Sequence, residues 1–186
     1  MSVARLGLLA AALVLLPSAA FVVTDHAVYH FERDNAFCVS CHLHEKLLAT
    51  FEAGATQATD LSAVHFSALD EPRCIACHKG EGTIERAKVL AVAGWDAVEY
   101  VAGDRNEPDH SHVPIADVGC THCHDQLGAR PDGPDFHQRA EHRNLPITCV
   151  SCHQAHRTGD PKQSFLAEDH VVPECRTCHP DLAASN

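Results

Sequence analysis

The chain has 186 residues, enough for one compact domain or for a small domain with an anchor, but not for two large domains. Only 5% of the residues are aromatic, against 10 Cys and 16 His, which is unlike an ordinary globular domain. The 14 Lys and Arg against 25 Asp and Glu give a net charge of −11. This charge argues against a protein that binds nucleic acid, because such proteins neutralise phosphates with basic side chains.

The first predicted element is an apolar segment at the N-terminus. Residues 6–23 are apolar or small, interrupted by Pro17 and Ser18. Eighteen residues are about the minimum for a helix that spans a bilayer. The segment also resembles a signal peptide that would be cleaved after Ala20. Because the apolar run continues past Ala20, we favour a retained anchor.

The composition changes after this segment and then stays uniform. We therefore predict two parts, an N-terminal membrane anchor (or signal peptide) over residues 1–24 and a single domain over residues 25–186. Arg5 is expected on the cytoplasmic side, which places the domain on the extracytoplasmic, or periplasmic, side of the inner membrane.

All ten cysteines fall into five Cys-x-x-Cys pairs, and a His directly follows each pair. This pattern is the attachment signature of c-type haem. The two thiols form thioethers with one porphyrin, and the His becomes the proximal ligand of its iron. In chain order, motifs 1 to 5 are Cys38, Cys41 and His42; Cys74, Cys77 and His78; Cys120, Cys123 and His124; Cys149, Cys152 and His153; and Cys175, Cys178 and His179.

Paired cysteines have two other common uses in proteins. They can hold zinc, and in exported proteins they can form disulfides. Neither use requires a His after every second Cys. We therefore predict five covalently bound haem c groups whose porphyrins replace the missing aromatic core, so that the chain without haem would be largely unfolded.

The remaining 11 His are more than enough for five distal ligands. Met1 is the only Met, so we expect mostly bis-His iron of low potential, because Met ligation would raise the potential. A His precedes each motif: His30, His65, His112 (or His110), His142 (or His137) and His170. We predict these distal metal ligands: His65, His112, His142, His156 and His170.

His156 is included because it lies one helical turn beyond the proximal His of motif 4. For any one of the five, the alternative is an exposed side chain or one that bonds a haem propionate. His122 lies inside its own motif and is not predicted to be a ligand. The spacing does not assign each distal His to a haem.

Hydrophobic periodicity predicts three helices in the domain. The first extends from Leu43 to Phe51 and ends before Gly54. The second and clearest extends from Thr83, as a cap, to Ala102. Its apolar side chains are expected to pack against porphyrin rather than a partner: Ile84, Ala87, Ala91, Trp95 and Val98.

The third predicted helix is short and lies around Phe136 to Arg143. Residues 103–117 and 128–135 are expected to be loops, since Pro, Gly and Asp cluster there. The predicted fold class is therefore mainly α and irregular. It is a multihaem cytochrome c domain of short helices and loops wrapped around five haems, with one N-terminal transmembrane helix.

This layout resembles the NapC/NirT/NrfH family of membrane-anchored multihaem quinol dehydrogenases. The resemblance rests on an N-terminal anchor followed by motif 1, on His65 ahead of motif 2, and on a helix after motif 2, and it extends to about His156. Two features depart from the family. It is typically tetrahaem, whereas this chain has a fifth motif, and no Met is present for the first haem.

The resemblance implies that quinol, menaquinol or ubiquinol, is oxidised where the first haem meets the membrane. Electrons would then pass to a periplasmic acceptor. Quinol oxidation releases protons, so a base is needed nearby. The candidate bases are Asp25, His26, His30, Glu32, Asp34 and Lys46. For each of them, a solvated position beside the membrane is the simpler interpretation.

Other functions remain open at this stage. The chain would be an electron carrier with quinol dehydrogenase activity at the first haem, a passive wire in a respiratory or photosynthetic complex, or an extracellular polymerising cytochrome. A multihaem enzyme is disfavoured, because spare His would fill every iron position. Without residues 1–24, whose only charge is Arg5, the net charge is −12. We therefore expect a redox partner with a basic docking face, or a larger membrane complex.

Overall fold

A computed structural model describes residues 2–108, 110–125, 135–142, 145 and 147–182. Within these residues the chain is mainly helical and contains no β-strand, only two isolated β-bridges. The prediction of a mainly helical and irregular chain is therefore confirmed. Most of the predicted loop at 128–135, and Arg143 at the end of the third predicted helix, lie outside the described residues.

The helices are short except for two. In chain order they are α1 (Val3–Glu32), α2 (Asn35–Cys38), α3 (Glu45–Ala53), α4 (Leu61–Ala68), α5 (Ile75–His78), α6 (Gly82–Ala102), α7 (Asp117–Thr121), α8 (Asp135–Gln138), α9 (Cys149–Cys152) and α10 (Glu168–Arg176). Two 3-10 turns cover Ala140–His142 and Pro161–Gln163.

Helix α1 is long and apolar enough to cross a membrane, with a mean hydropathy of 2.5 over its most apolar window. An N-terminal signal sequence has the same properties. No residue of α1 is buried against the rest of the protein. Pro17 lies inside the helix and has no N–H for the helix ladder. The Ser18 hydroxyl donates to the Val14 carbonyl at 2.8 Å. The helix continues past the predicted boundary at residue 24 without a break.

The largest helix–helix contact joins α3 and α4. Phe51 and Phe66 meet edge to face with ring centroids 5.1 Å apart. Gly54, directly after α3, lies so close to Ala63 that a Cβ would overlap the Ala63 carbonyl. Buried apolar side chains are otherwise few: Phe51, Ala63, Ile75 and Ala167 are the buried hydrophobic residues of the described chain.

Helix α6 ends at Gly103, as predicted, where a φ of 113° favours glycine. The predicted cap is wrong, because the helix begins at Gly82 and Thr83 lies inside it. The apolar side chains of its predicted stripe have little contact with the described protein. Ile84 is 74% exposed and Trp95 is 62% exposed.

Other elements differ from the sequence-based expectations. The helix predicted after motif 1 begins at Glu45, two residues later than expected, because His42 and His44 have left-handed backbones. The third predicted helix is α8 followed by a 3-10 turn. Helices α4 and α10 were not predicted. Pro173 lies inside α10, in a position that usually ends a helix.

Gly54→Ala is expected to destabilise the protein by about 1–3 kcal/mol, because the added Cβ must push α3 and α4 apart. The measurement is the free energy of unfolding of the full chain in detergent, followed by far-UV circular dichroism. Gly94→Ala is the matched control. A Cβ there meets no atom within 4 Å, so this change is expected to stabilise α6 by about 0.5–1 kcal/mol. Equal effects of the two changes would contradict this account of the helix contact.

Candidate functional site

The five motifs lie on or beside short helices. All ten cysteines are free of disulfide bonds. The described residues contain no group of three or more metal-ligating side chains of the kind that a zinc site needs.

Four of the five proximal His rings face a second His ring that comes from another part of the chain. The ring centroids are 6.0 Å apart for His65 and His124, 6.0 Å for His78 and His156, 6.1 Å for His137 and His153, and 6.2 Å for His142 and His179. The second ring precedes its partner in three pairs and follows it in one. These four His pairs are the main geometric feature of the domain.

The separation within the His pairs fits two imidazoles on opposite sides of one metal ion. An imidazole nitrogen lies about 2.0–2.1 Å from a first-row metal such as zinc, and the ring centre lies about 1.1 Å behind it. Two such rings would therefore have centroids about 6.3 Å apart. Aromatic rings in direct contact also have centroids about 4.5–7 Å apart, so the distance is compatible with both arrangements. The donor set and its spacing fit bis-His ligation of iron.

The His pairs fall into two classes by the angle between their ring planes. The planes are nearly parallel in motifs 2 and 4, at 14° for His78 with His156 and 12° for His137 with His153. They are nearly perpendicular in motifs 3 and 5, at 84° and 85°. The even-numbered motifs therefore differ from the odd-numbered ones.

Helix α4 carries His65 and fixes one of its ring nitrogens with a hydrogen bond to the helix backbone. Nδ1 of His65 lies 2.8 Å from the Leu61 carbonyl, one helical turn earlier. A carbonyl only accepts, so the proton must be on Nδ1, and Nε2 keeps a free lone pair. A backbone carbonyl behind a ligating His is the usual way in which proteins fix its tautomer and orientation.

His156 is positioned by the contact between α4 and the segment that follows motif 4. Asp60 caps α4 by accepting from the Ala63 N–H at 2.9 Å and from the Ser62 hydroxyl at 2.8 Å. The Ser62 N–H donates to the Ala155 carbonyl at 2.8 Å. One buried turn therefore places His156 beside motif 2 while α4 carries His65 to motif 3.

Loss of hydration favours the neutral form of several paired imidazoles. Burial of the ring among protein atoms lowers the pKa of His78, and the nearby His156 lowers it further, although part of the His78 residue remains accessible. Burial also lowers the pKa of His153 and of His156. Neutral imidazole is the form that binds a metal.

The structure pairs three of the five predicted distal residues with a proximal His, namely His65, His142 and His156. It does not pair the other two. Nε2 of His170 donates to the Ser151 carbonyl at 3.0 Å. Nδ1 of His112 lies 3.4 Å from Asp96.

His137 faces His153, although the sequence offered it only as a substitute for His142. Both residues lie ahead of motif 4, and each faces a different motif. Spacing before a single motif could not show that two distal candidates in one segment are both used. The presence of two His residues in that segment was the only sequence signal that both are used.

Motif 1 differs from the others. Among the described residues, no second His faces His42 in this way. Nδ1 of His42 lies 2.9 Å from Glu45 on α3, and its side chain is 84% exposed. Motif 1 therefore presents a single imidazole at the protein surface.

Cysteines of successive motifs approach one another in chain order. The Cys38 thiol interacts with the Cys74 sulfur, which raises the pKa of Cys38 and lowers that of Cys74 to about 7. Burial, and then Asp117, raises the pKa of Cys149 to about 12, and Cys120 also contributes to this rise.

Two further cysteines have a pKa that a cysteine of the next motif raises. Burial raises the pKa of Cys77, and Cys120 raises it further. Burial and then Cys175 raise the pKa of Cys152 in the same way. Thiols of successive motifs therefore affect one another's pKa.

Arg86 on α6 joins the end of α1 to the domain. Its guanidinium lies 2.6 Å from Asp25 and 2.6 Å from Glu32, and only 4% of its side chain is exposed. The two carboxylates raise the pKa of Arg86 despite the opposing effect of burial. Two of the six candidate bases are therefore held in ion pairs. A third, Asp34, caps α2 by accepting from the Ala36 N–H at 2.9 Å.

Comparison with models of protein families, with curated proteins and with solved structures finds no match.

Arg86→Met is expected to cost about 3 kcal/mol, the lower end for a broken buried ion pair, since Asp25 is partly exposed. The change leaves two carboxylates side by side without their cation. The measurement is the free energy of unfolding of the full chain in detergent. Lys88→Met is the control, because the Lys88–Glu85 pair on the same helix is exposed and should contribute at most about 0.5 kcal/mol. A loss as small as that of the control would show that Arg86 does not hold α1 to the domain.

Proposed function

We propose that this protein is a membrane-anchored pentahaem c-type cytochrome. It carries electrons from the quinol pool, or from a membrane redox complex, to an extracytoplasmic acceptor. The observation that carries the proposal is the set of four His pairs. Five Cys-x-x-Cys-His motifs predict haem, and four of their His residues lie near a second imidazole at a distance that an intervening iron would fit.

When bound, haem c supplies an iron that gains and loses one electron, at a low potential where both axial ligands are His. The chain's own residues hold and orient the group. The ten cysteines are free to form thioethers. Segments before motifs 2 and 4 supply the distal imidazoles to motifs 3, 4 and 5, and His156 supplies one to motif 2.

The series of motifs in chain order favours a carrier over a catalyst. Hydrogen bonds accepted by Asn35 and Asp117 join motif 1 to motif 2 and motif 3 to motif 4, and His170 ahead of motif 5 bonds a carbonyl of motif 4. Four His pairs leave no substrate position on the irons that they would bind. A chain of closely spaced redox centres is suited to moving electrons from one end to the other.

Two contacts support entry of electrons near the membrane. Motif 1 begins a few residues after the end of α1, and Phe31 of α1 stacks on Phe37 with ring centroids 5.6 Å apart. Lys79, directly after motif 2, lies 4.8 Å above the ring of Tyr29 on α1. The first two motifs are thus tied to the helix that would cross the membrane.

The ring-plane angles predict the electron paramagnetic resonance spectrum of the oxidised protein. Parallel imidazole planes separate two iron d orbitals in energy, whereas perpendicular planes leave them close. We expect two classes of low-spin signal, a rhombic one from motifs 2 and 4 and a strongly anisotropic one from motifs 3 and 5. His65→Ala should remove part of the anisotropic signal and add about one-fifth of the iron to the high-spin fraction that motif 1, with its single imidazole, already contributes.

His170→Ala is the matched control for His65→Ala, because His170 bonds a carbonyl rather than facing a motif. It should leave both low-spin signals unchanged. His156→Ala should reduce the rhombic class instead. Loss of a low-spin signal in His170→Ala, or none in His65→Ala, would contradict the assigned pairing. Absence of covalent haem from the wild-type protein would refute the proposed function itself.

Reduction by a menaquinol analogue tests the electron donor. We expect the purified full chain in detergent to show haem reduction when the analogue is added, because motif 1 lies next to the anchor. The measurement is the visible absorbance of reduced haem c, with dithionite giving the full amplitude. No reduction by quinol, in protein that dithionite reduces fully, would instead indicate a passive wire fed by another membrane complex.

A further inference from the structure

Two side chains make the same contact in different halves of the domain. Asn35 is the first residue of α2, and its Oδ1 accepts from the Cys74 backbone N–H at 2.9 Å. Asp117 is the first residue of α7, and its Oδ1 accepts from the Cys149 backbone N–H at 2.7 Å. Each therefore joins an odd-numbered motif to the even-numbered motif that follows.

The two contacts occupy the same place in the sequence. Asn35 lies three residues before Cys38, and Asp117 lies three residues before Cys120. In both cases the acceptor reaches the first cysteine of the next motif, at the start of a short helix whose first N–H groups have no partner in their own helix. Neither contact follows from haem attachment, since C-x-x-C-H specifies nothing at that position.

The paired histidines follow the repeat as well. His65, ahead of motif 2, faces the proximal His of motif 3, and His142, ahead of motif 4, faces that of motif 5. Both pairs are nearly perpendicular. The repeat is not kept at the even-numbered motifs. The second ring is His156 for motif 2, which follows its motif, and His137 for motif 4, which precedes it.

We propose that the domain contains a repeated two-motif unit, in which Asn35 and Asp117 are equivalent positioning residues that hold motifs 1 and 2, and motifs 3 and 4, as two haem pairs. This inference rests on the proposed function, since it concerns how the haems are paired. Motif 5 has no such contact. Val172 stands three residues before Cys175, inside α10, and its side chain has no hydrogen-bond acceptor.

The physical role of the contact is to fix the distance between two attachment points. A backbone N–H at a helix start is a donor that needs a partner, and a carboxyl or amide oxygen from the other motif satisfies it. Asn35 also donates from Nδ2 to the Pro72 carbonyl at 3.1 Å, which holds both sides of the Cys74 turn. Small shifts at these points would change how the two porphyrins of a pair interact.

The experiment is circular dichroism of the purified full chain in the Soret region, where two closely packed haems give a signal with a positive and a negative lobe. Asn35→Ala and Asp117→Ala are each expected to reduce this signal. Because the two sites are separate, the two losses should add in the double variant. The conservative variants Asn35→Asp and Asp117→Asn keep the accepting oxygen and should retain the signal.

Asn106→Ala is the matched control, because the Asn106 side chain bonds Asp104 within an exposed loop. Haem content is counted in parallel by the pyridine haemochrome assay and by mass spectrometry of tryptic peptides. If an alanine variant loses a haem, the loss must map to Cys74 for Asn35→Ala, or to Cys149 for Asp117→Ala. Loss elsewhere would overturn the inference.

Two further outcomes separate this inference from the proposed function. Five attached haems with an unchanged Soret signal in both alanine variants would overturn the pairing while leaving the cytochrome assignment intact. The same holds if the wild-type protein carries five haems but shows no two-lobed signal. A wild-type protein without covalent haem would refute the proposed function, and the pairing with it.

Discussion

Imidazole rings held 6.0–6.2 Å apart connect parts of the chain that share few apolar contacts. Only four hydrophobic residues of the described chain are buried, so side-chain packing alone contributes little to hold the motifs in place. The His pairs cross between segments up to 78 residues apart, from motif 2 to His156. On the proposed function, each pair closes through iron, and the cofactors take over the part that a hydrophobic core plays elsewhere.

The five motifs were readable from sequence, because each is a fixed local spacing of two thiols and an adjacent His. On the proposed function, that spacing is the one that porphyrin attachment needs. The ends of α3 and α6 were also predicted, since Gly54 and Gly103 mark them. These features depend on residues close together in the chain.

The pairing of distal residues depends on tertiary contacts that spacing does not encode. His170 lies shortly before motif 5, where a distal ligand is expected, but its Nε2 donates to the Ser151 carbonyl. If each motif takes one preceding His, His137 is only an alternative to His142 before motif 4. The close approach of Gly54 to Ala63 and the Arg86 ion pairs also join remote segments, and no local pattern marked them.

Helix α1 leads into the domain as one rigid rod. Its last nine residues, Thr24 to Glu32, extend about 13 Å beyond the apolar run, and Arg86 binds them at two levels. A flexible tether would let the domain swing and search for partners over the membrane surface. On the proposed function, a tilt or rotation of the rod in the membrane would turn the whole domain with it, and an acceptor would have to approach from the side that the rod leaves open.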